Sequence, residues 1–375
     1  MSMELHRCFR CGWCKLPSDF VDYNCPSYAK FRFESFSPGG RLWLIRAWLN
    51  RELTWSENFA KILFSCVACK NCAEQCKMRF KDEIVDWITS AKSLAIEKGL
   101  APPKVRDFLE NIAKHGNPWG LPRAQRASWL DLNKFEGEGD LLYIGCECAY
   151  EERGQKMAKN VIELFKIAGL SFGTLGNEEE CDGNEAYMLG ELGLFQELAS
   201  KNTQKFKELG VKKVITISPH AFNAMKKYPN RDFEVLHFTQ LLLELIQKGK
   251  LKLSELDLTV TYHDPCFLGR HNGIYSEPRK ILKSIPGLKL VEMKRNKENS
   301  FCCGGGSGNF VFDLLSGSES PARLRVREAL NTGAEILAVA CPICKAMFED
   351  AVKDEGSDLE VKDIAEILLS STKML

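Results

Sequence analysis

The chain has 375 residues, with 51 lysines and arginines against 50 aspartates and glutamates, so its net charge is about +1. This balance leaves no large basic field, and nucleic acid is therefore not an expected partner. Hydrophobic residues make up 45% of the chain, yet no apolar run reaches the roughly 18 to 20 residues that a membrane span needs. The N-terminal residues lack the apolar core of a signal peptide, so we expect a cytoplasmic protein.

Cysteine is the unusual feature of the composition, with 16 residues. A chain without an export signal meets a reducing environment, which disfavours disulfides and points to metal or redox chemistry. The cysteines fall into three groups along the chain: Cys8, Cys11, Cys14, Cys25, Cys66, Cys69, Cys72 and Cys76; then Cys146, Cys148 and Cys181; then Cys266, Cys302, Cys303, Cys341 and Cys344. Such clustering is not typical of scattered core cysteines.

The clearest motif lies in residues 66–76, which read CVACKNCAEQC. Its spacing, C-x2-C-x2-C-x3-C, is that of a run that holds a cubane [4Fe–4S] cluster. A zinc site is the alternative, but zinc modules usually separate their two C-x2-C pairs more widely. The motif therefore predicts an iron–sulfur cluster.

A second run lies in residues 8–26, which read CFRCGWCKLPSDFVDYNCP. Its first three cysteines keep the same spacing, and the fourth, Cys25, precedes Pro26. In two-cluster ferredoxins the fourth cysteine of each run ligates the other cluster. By that rule one cubane is held by Cys8, Cys11, Cys14 and Cys76, and the other by Cys25, Cys66, Cys69 and Cys72.

The segments around these runs show helical periodicity. Apolar residues recur at helical spacing in residues 41–64, with Arg41, Arg46 and Arg51 among them. A membrane-surface helix is one interpretation, and a helix packed between the two clusters is the favoured one. Residues 82–99 are also predicted to be helical. We therefore expect an α-helical two-cluster ferredoxin domain over residues 1–100, followed by a linker rich in proline and glycine over residues 101–138.

The remaining chain contains an internal repeat. Short β-rich runs end near Cys146 and again near Cys266, and two later runs end at Ser218 and Cys341. Cys146 matches Cys266, Cys181 matches Cys302, and Ser218 matches Cys341, at shifts of 120, 121 and 123 residues. A nearly constant shift of this kind is typical of a duplicated unit.

The elements of the repeat predict an α/β fold. The runs LLYIG, VITIS, LTVTY and ILAVA are typical of buried strands in parallel sheets, and helical segments separate them. The cysteines follow the strand ends, where open α/β sheets bind ligands. We expect two α/β repeats, over residues 139–250 and 251–375.

The two repeats differ in their cysteines. The second carries Cys266, Cys302, Cys303, Cys341 and Cys344, which are more thiolates than a simple cubane needs. Gly304, Gly305 and Gly306 follow directly and allow the backbone to approach a bound group, although an ordinary flexible turn is the alternative.

The first repeat is degenerate. It keeps Cys146 and Cys181 but has Asp182, Ser218 and Ala221 at the other three positions, and Cys148 does not restore the pattern. We expect the first repeat to serve as scaffold, or as the opposite wall of a substrate cleft.

These motifs carry a family resemblance. The arrangement CCG followed by CPxC, with YHDPCFLGRHNGIYSEPRKIL before it, resembles the CCG cysteine-rich domain. Joined to an N-terminal two-cubane domain, the chain resembles the D-type catalytic subunit of heterodisulfide reductase. It is also similar to the K-type subunit of the sulfite-reduction-associated membrane complex. The resemblance covers nearly the full length.

The resemblance implies a cofactor and a reaction. Two cubanes would pass electrons to a non-cubane [4Fe–4S] cluster held by the five C-terminal cysteines, and this cluster would reduce a disulfide. The electrons would come from a soluble donor subunit or from a membrane b-type cytochrome, which would attach the chain peripherally to the inner face of the membrane. Because the first repeat is degenerate, cleavage between two such clusters is not expected here.

Four residues near these motifs are candidates for proton transfer or substrate binding. His263 and His271 flank Cys266, and His220 follows the strand end of the first repeat. Arg270 is a candidate for an anionic part of the substrate. A histidine beside a metal site is also often only a hydrogen-bond donor to a ligand.

Two further functions remain open at this point. The chain could be an electron-transfer adaptor inside a larger dehydrogenase complex without its own substrate, since its first repeat is degenerate. It could also be a quinone-linked module whose cleft contacts a membrane partner.

Overall fold

The computed structural model describes residues 3–16 and 22–372. The predicted domain ends at residues 1 and 375 therefore lie outside the described residues. The α-helices are α1 Pro26–Phe31, α2 Pro38–Leu49, α3 Glu57–Phe64, α4 Asn71–Gln75, α5 Ile84–Glu97, α6 Pro103–His115, α7 Cys146–Tyr150, α8 Glu152–Ile167, α9 Asn184–Leu189, α10 Leu192–Glu208, α11 Pro219–Lys226, α12 Phe238–Gln247, α13 Ser276–Ser284, α14 Asn309–Phe312, α15 Pro321–Leu330, α16 Pro342–Glu355 and α17 Ile364–Ser371. The strands are β1 Asp140–Tyr143, β2 Phe172–Gly173, β3 Lys213–Thr216, β4 Glu234–His237, β5 Thr259–Tyr262, β6 Lys289–Leu290, β7 Ile336–Val339 and β8 Glu360–Asp363.

The strands form two parallel four-stranded sheets with the same topology. The orders are β2-β1-β3-β4 and β6-β5-β7-β8, so the second sheet repeats the first. In register, Leu142 of β1 faces Ile215 of β3, and Thr261 of β5 faces Leu337 of β7. The central strands are buried, as expected for parallel strands covered by helices on both faces. The predicted α/β fold and its duplication are confirmed.

Helices α1–α5 precede the sheets and carry the two cysteine runs. Local sequence signals explain several of their boundaries: Ser37 caps α2 by accepting from the Gly40 amide, and Pro38 takes the first helical position. Gly40 is required there, because a Cβ at this position would lie 1.9 Å from the carbonyl oxygen of Glu34. The apolar segment 41–64 forms two helices, α2 and α3, rather than one.

The segment predicted to be a linker contains helix α6. Pro103 stands in its first turn and Gly116 follows it in the left-handed conformation, which are typical start and stop signals. Its apolar face is buried, and Phe108 makes edge-to-face contacts with Phe310 and Phe312. The segment is therefore partly an element of the core.

The helical part and the second repeat share one hydrophobic core. This core runs from Leu42, Leu63 and Ile88 of the N-terminal helices to Phe267 and Ile343 of the second repeat. Within residues 3–16 and 22–372, no helix has both the length and the apolar character required to cross a membrane.

A buried lysine ties three parts of the molecule together. The ammonium group of Lys92 donates to the carbonyl oxygens of Cys66 and Met188 at 2.8 and 3.1 Å, and it contacts the Ser307 hydroxyl at 3.2 Å. Burial lowers the pKa of Lys92 to about 8. Its partners belong to the helical part, the first repeat and the second repeat, so this one side chain fixes their relative positions.

Candidate iron–sulfur centres

Two separate cavities in the helical part are lined by the N-terminal cysteines. We call them the outer thiol cavity, lined by Cys8, Cys11, Cys14 and Cys76, and the inner thiol cavity, lined by Cys25, Cys66, Cys69 and Cys72. Each set takes three cysteines from one run and the fourth from the other. This is the grouping that the crossed arrangement of two-cluster ferredoxins requires.

The chemistry of both cavities fits a soft, electron-poor group. Among the residues that the structure describes, neither cavity is lined by a carboxylate or a histidine. Burial raises the pKa of Cys8, Cys14 and Cys72, so these thiols would stay protonated without a cation to bind. Metal binding would deprotonate these thiols and stabilise the resulting thiolates. Four converging cysteines of this kind match the donor set of a cubane cluster.

Arg41 adds positive charge beside the inner thiol cavity. Its buried guanidinium donates to the hydroxyls of Ser27 and Ser65 at 2.9 and 2.8 Å and to the Ile62 carbonyl at 2.8 Å. Burial raises the pKa of Cys25, and the charge of Arg41 opposes that rise. Arg41 therefore stabilises thiolate at this cavity. The favoured interpretation of this segment is a helix packed between the two clusters, and α2 contributes residues to the lining of both cavities.

The five C-terminal cysteines converge, and we call their meeting point the C-terminal thiol site. All five are buried. The sulfurs of Cys303 and Cys344 are 3.4 Å apart, and those of Cys266 and Cys302 are 3.9 Å apart. Cys266 follows β5, Cys302 and Cys303 lie between β6 and β7, Cys341 precedes helix α16, and Cys344 lies in the first turn of α16. A dense set of thiols of this kind suits soft metal groups, among them iron–sulfur clusters.

The glycines of the CCG loop allow close approach of other elements. The Gly304 amide donates to the Cys302 sulfur at 3.4 Å. A Cβ at Gly305 would lie 2.6 Å from Ile343, and one at Gly306 would lie 2.4 Å from the carbonyl oxygen of Val67. Val67 belongs to the N-terminal run CVACKNCAEQC, so the glycines bring the C-terminal thiol site against the inner thiol cavity.

His263 lies directly at the C-terminal thiol site. Its nearest nitrogen and the sulfurs of Cys303 and Cys344 all lie within 4.8 Å of one another. Nδ1 of His263 accepts from Arg325 at 3.3 Å, and Nε2 has no hydrogen-bond partner among the described residues. Burial lowers the pKa of His263 despite its contact with Cys303. The ring is thus held as a neutral donor facing thiols.

His220 reaches the same site from the first repeat. Its Nδ1 bonds the buried carboxylate of Glu185 at 2.6 Å, and its ring contacts Cys341. Burial opposes its charge, but Glu185 and Cys341 hold the pKa of His220 well above its usual value. Burial likewise opposes ionisation of Cys341, yet Cys344 and His220 lower the pKa of that thiol to about 6. A residue of the first repeat therefore contacts a cysteine of the second repeat.

Arg270 and His271 lie instead at the junction with the helical part. Nε of Arg270 donates to the carbonyl of Cys69 at 2.7 Å, and Nη1 donates to that of Ser300 at 2.6 Å. Nε2 of His271 bonds the carbonyl of Ala68 at 2.8 Å, and burial lowers its pKa to about 3. These contacts indicate that Arg270 and His271 position the cysteine run of residues 66–76 rather than transfer protons.

The corresponding position in the first repeat is filled by protein side chains. Arg126 donates to the sulfur of Cys146 at 3.6 Å and to the carboxylate of Glu179 at 2.5 Å. Cys146 contacts Cys181, and both are buried. A guanidinium therefore occupies the neighbourhood of the two remaining thiols, which agrees with a scaffold role for this half.

Two acidic residues near the C-terminal thiol site were not predicted from the sequence. Glu185 anchors His220, and Glu147 stands after β1 in a cleft beside α16. The only available signal for Glu147 was its place between two cysteines after a strand end. The sequence around Glu185 contains no pattern that predicts a functional site.

Comparison with known proteins agrees with the class of protein that these sites define. The family model for the 4Fe–4S dicluster domain matches residues 4–80, and the model for the cysteine-rich CCG domain matches residues 141–226 and 260–349. The protein is therefore an iron–sulfur protein with a dicluster domain and a duplicated CCG domain.

The full-length relatives define the family more narrowly. The chain is 34% identical to the D subunit of the dihydromethanophenazine:CoB–CoM heterodisulfide reductase of Methanosarcina acetivorans and 32% identical to that of Methanosarcina barkeri. These matches cover 96% and 98% of this chain and 92% and 93% of the relatives. The chain belongs to the family of heterodisulfide reductase D subunits, which are iron–sulfur oxidoreductases.

Other relatives are larger proteins. The chain is 37% identical to the probable iron-sulfur-binding oxidoreductase FadF of Bacillus subtilis and 36% identical to the EtfAB:quinone oxidoreductase of Syntrophomonas wolfei, over 82% of its length in each case. It spans only 46% of either relative. Among solved structures, a hypothetical protein from Helicobacter pylori shares the fold, with a TM-score of 0.56 at 14% identity over 93% of this chain and 71% of that one.

Proposed function

We propose that the chain reduces a disulfide at the C-terminal thiol site, with electrons relayed from the outer to the inner thiol cavity. The observation that carries this proposal is the contact between the thiols of Cys69 and Cys302, which joins the inner thiol cavity to the C-terminal thiol site. On the other side, burial raises the pKa of Cys14 and of Cys72, Cys25 raises the pKa of Cys14 further, and Cys14 raises the pKa of Cys72 further, so the outer and inner thiol cavities are neighbours. The outer thiol cavity, the inner thiol cavity and the C-terminal thiol site therefore follow one another in a row. This order suits electron transfer from the outer thiol cavity to the C-terminal thiol site.

The proposed occupants are two cubane [4Fe–4S] clusters, one in each cavity, and one non-cubane [4Fe–4S] cluster at the C-terminal thiol site. Such clusters supply one-electron carriers in the row and a sulfur-reactive redox centre at its end. The chain's own residues hold thiolates, exclude water and place His263 and His220 against the last site. Gly304 contributes an amide donor to the Cys302 sulfur.

The donor of electrons is proposed to dock near the outer thiol cavity. Cys11 is exposed there, so this cavity is the one nearest to a protein partner. A membrane b-type cytochrome or a soluble donor subunit would fill this role, with the chain cytoplasmic or held peripherally on the inner face of the membrane. Support comes from relatives whose names specify a quinone oxidoreductase or a membrane-anchored ferredoxin.

The test is electron paramagnetic resonance of anaerobically purified, oxidised protein with and without 2-mercaptoethanol. A thiol-dependent signal that disappears in Cys303→Ser supports disulfide chemistry at the C-terminal thiol site. Iron should fall from about twelve to about eight atoms in that variant, since one four-iron cluster is lost. Cys148→Ser is the matched control, because Cys148 is buried but lies outside all three proposed sites.

An adaptor role is the second candidate. It is favoured by the degenerate first repeat, where Arg126 stands beside Cys146, and by the larger relatives, one of which is named as a quinone oxidoreductase. An adaptor would show reducible cubane signals but no change on addition of thiol. That outcome would reject the reductase and direct attention to the partner protein.

A further inference from the structure

A cleft lies between the two repeats, beside the C-terminal thiol site. One wall comes from α7 and α8 of the first repeat, and the other comes from the first turns of α16. Cys341 and Cys344 flank Pro342 and Ile343, which line the cleft. A molecule in this cleft therefore lies against the helical turn that carries two of the five cysteines.

Glu147 lines the cleft and has a side-chain oxygen without a hydrogen-bond partner among the described residues. The residue is 7% exposed, and this oxygen is Oε2. Helix α8 packs tightly on α7, because a Cβ at Gly154 of α8 would lie 2.2 Å from the carbonyl oxygen of Glu147. This close approach fixes the backbone of Glu147. A buried, unpartnered carboxyl oxygen is costly unless a ligand or a proton satisfies it.

We propose that this cleft binds a small, uncharged aliphatic disulfide and that Glu147 delivers a proton to the sulfur that leaves. The inference rests on the disulfide reduction proposed above and deepens it. The balanced reaction is R–S–S–R′ + 2 e⁻ + 2 H⁺ → R–SH + R′–SH. The S–S bond breaks, and two equivalents of a one-electron donor supply the two electrons, each donor being oxidised by one electron. Glu147 supplies one proton and is reprotonated from solvent, and solvent supplies the other proton.

The surroundings of Glu147 suit an acid that donates a proton. Burial raises the pKa of Glu147 well above its usual value, the nearby Asp182 and Cys146 raise it further, and His220 opposes the rise. Burial and these acidic neighbours thus favour the protonated form of the Glu147 carboxyl group. An alkyl thiolate is a basic leaving group, and protonation as the bond breaks is the task of a general acid.

The lining of the cleft indicates the class of substrate. Trp119, Phe310 and Met347 provide apolar surface. The guanidinium of Arg153 is already bound to Asp350 at 2.6 Å, and Glu151 adds further negative charge to the lining. An anionic disulfide would therefore meet repulsion at the entrance, whereas an uncharged one would not.

The first experiment compares the holoprotein with its Glu147→Gln variant. Reduction of bis(2-hydroxyethyl) disulfide is driven by dithionite-reduced methyl viologen, a one-electron donor. We expect kcat to fall about 100-fold, within the usual range for loss of a general acid, with KM and bound iron unchanged. Glu163→Gln is the control, since Glu163 is exposed on the outer face of the same helix pair and should keep wild-type kinetics.

A second readout does not depend on turnover. The infrared difference spectrum between the oxidised wild type and Glu147→Gln should contain the carbonyl band of a protonated carboxylic acid. Absence of that band, or an unchanged kcat in Glu147→Gln, overturns the role of Glu147. If Glu147→Gln loses iron, Glu147→Asp takes its place: it keeps the acid but shortens its reach, so the band should remain while kcat falls.

The binding half of the proposal is tested by filling the cleft. Ala346→Leu adds bulk to the wall formed by α16 and should raise KM for bis(2-hydroxyethyl) disulfide several-fold, whereas Lys353→Leu, exposed further along α16, should not. Dithiodiglycolate, an anionic disulfide, should show a higher KM than the uncharged probe. An unchanged KM in Ala346→Leu, or preference for the anion, overturns the assignment of the cleft. Failure of the wild type to reduce any disulfide would instead overturn the proposed function itself.

Discussion

Nε of Arg270 donates to the carbonyl oxygen of Cys69 at 2.7 Å, across 201 residues of sequence. A residue of the second repeat is thereby bound to the cysteine run of the helical part. The neighbouring His271 makes the equivalent contact to Ala68 at 2.8 Å. Nη2 of Arg270 is buried without a partner among the described residues, close to the thiols of Cys69 and Cys302. Arg270 thus contributes a fixed positive charge where two proposed redox centres meet.

Replacing Arg270 should make these centres harder to reduce. A reduced cluster carries one more negative charge, and a nearby cation stabilises it. Arg270→Gln should therefore lower a reduction potential by on the order of 100 mV, because one charge acting over roughly 7 Å through an effective dielectric of about 20 contributes about 2 kcal/mol. Arg270→Lys keeps the charge and should shift the potential less. Paramagnetic resonance during a redox titration measures the change.

The control for Arg270 is Arg323→Gln. Arg323 forms an ion pair with Glu355 away from the thiol sites, so its loss should leave all potentials unchanged. Equal reduction potentials in the wild type and Arg270→Gln would show that Arg270 only holds the second repeat against the cysteine run of the helical part.

Gly306→Ala should weaken the contact between the inner thiol cavity and the C-terminal thiol site. Its Cβ would lie 2.4 Å from the Val67 carbonyl oxygen, so backbone has to move. Overpacking of this kind typically costs about 1–3 kcal/mol. Thermal unfolding of the holoprotein should report the loss. Gly193→Ala is the control because its nearest neighbour is a carboxylate tip of Glu191 at 3.6 Å, and unaltered stability in Gly306→Ala would contradict the close approach.

Local patterns allowed much of the fold to be predicted from sequence. The buried runs ending near Cys146, Cys266 and Cys341 are strands, and the constant shift between repeats corresponds to two sheets of identical order. Helix α6 was assigned to a linker because its segment is rich in proline and glycine. Pro103 and Gly116 in fact mark its two ends, so position within the segment mattered more than composition.

Contacts between distant segments could not be predicted. Arg270 and His271 stand beside Cys266 in sequence, which suggested chemistry, but their partners Cys69 and Ala68 are about 200 residues away. Glu147 gains its surroundings only when the two repeats pack together. Hydrophobic periodicity and motif spacing indicate which residues are neighbours within one element or motif. Neither pattern indicates how distant parts of the chain pack against each other.

The buried ion pair of Lys345 supports the helix that carries Cys344. Nζ of Lys345 lies 2.8 Å from carboxylate oxygens of both Asp363 and Glu366, and Lys345 and Asp363 are almost fully buried. Lys345→Met leaves the Asp363 carboxylate buried without its cation, which should cost about 3–5 kcal/mol of unfolding free energy. Urea unfolding under anaerobic conditions measures this loss.

The double variant Lys345→Met, Asp363→Asn separates charge from packing. The amide oxygen introduced by Asp363→Asn can still accept from the Glu366 backbone amide, as the Asp363 carboxylate does at 2.9 Å, and no buried charge is left at this position. We expect the double variant to regain most of the lost stability. Lys248→Met removes an exposed pair with Glu244 and should change stability by less than about 1 kcal/mol. A double variant no better than Lys345→Met would show that packing dominates.

His237 should make the protein less stable in mild acid. Its ring is buried between Thr239 and the Ile217 carbonyl, with distances of 2.8 and 3.1 Å, and burial lowers its pKa to about 3. Between that value and the usual pKa near 6.5, the unfolded chain binds a proton that the native chain does not. The contribution to stability is therefore complete above pH 6.5 and is lost as pH falls, by about 2 kcal/mol at pH 5.

The His237 contribution is measured as a difference between variants, because acid also affects other groups. Urea unfolding at pH 7 and pH 5 should show that His237→Gln loses less stability on acidification than the wild type, by about 2 kcal/mol. His115→Gln alters an exposed histidine at the end of α6 and should retain the wild-type pH dependence. If His237→Gln loses as much stability as the wild type between the two pH values, the buried neutral state of His237 is not the cause.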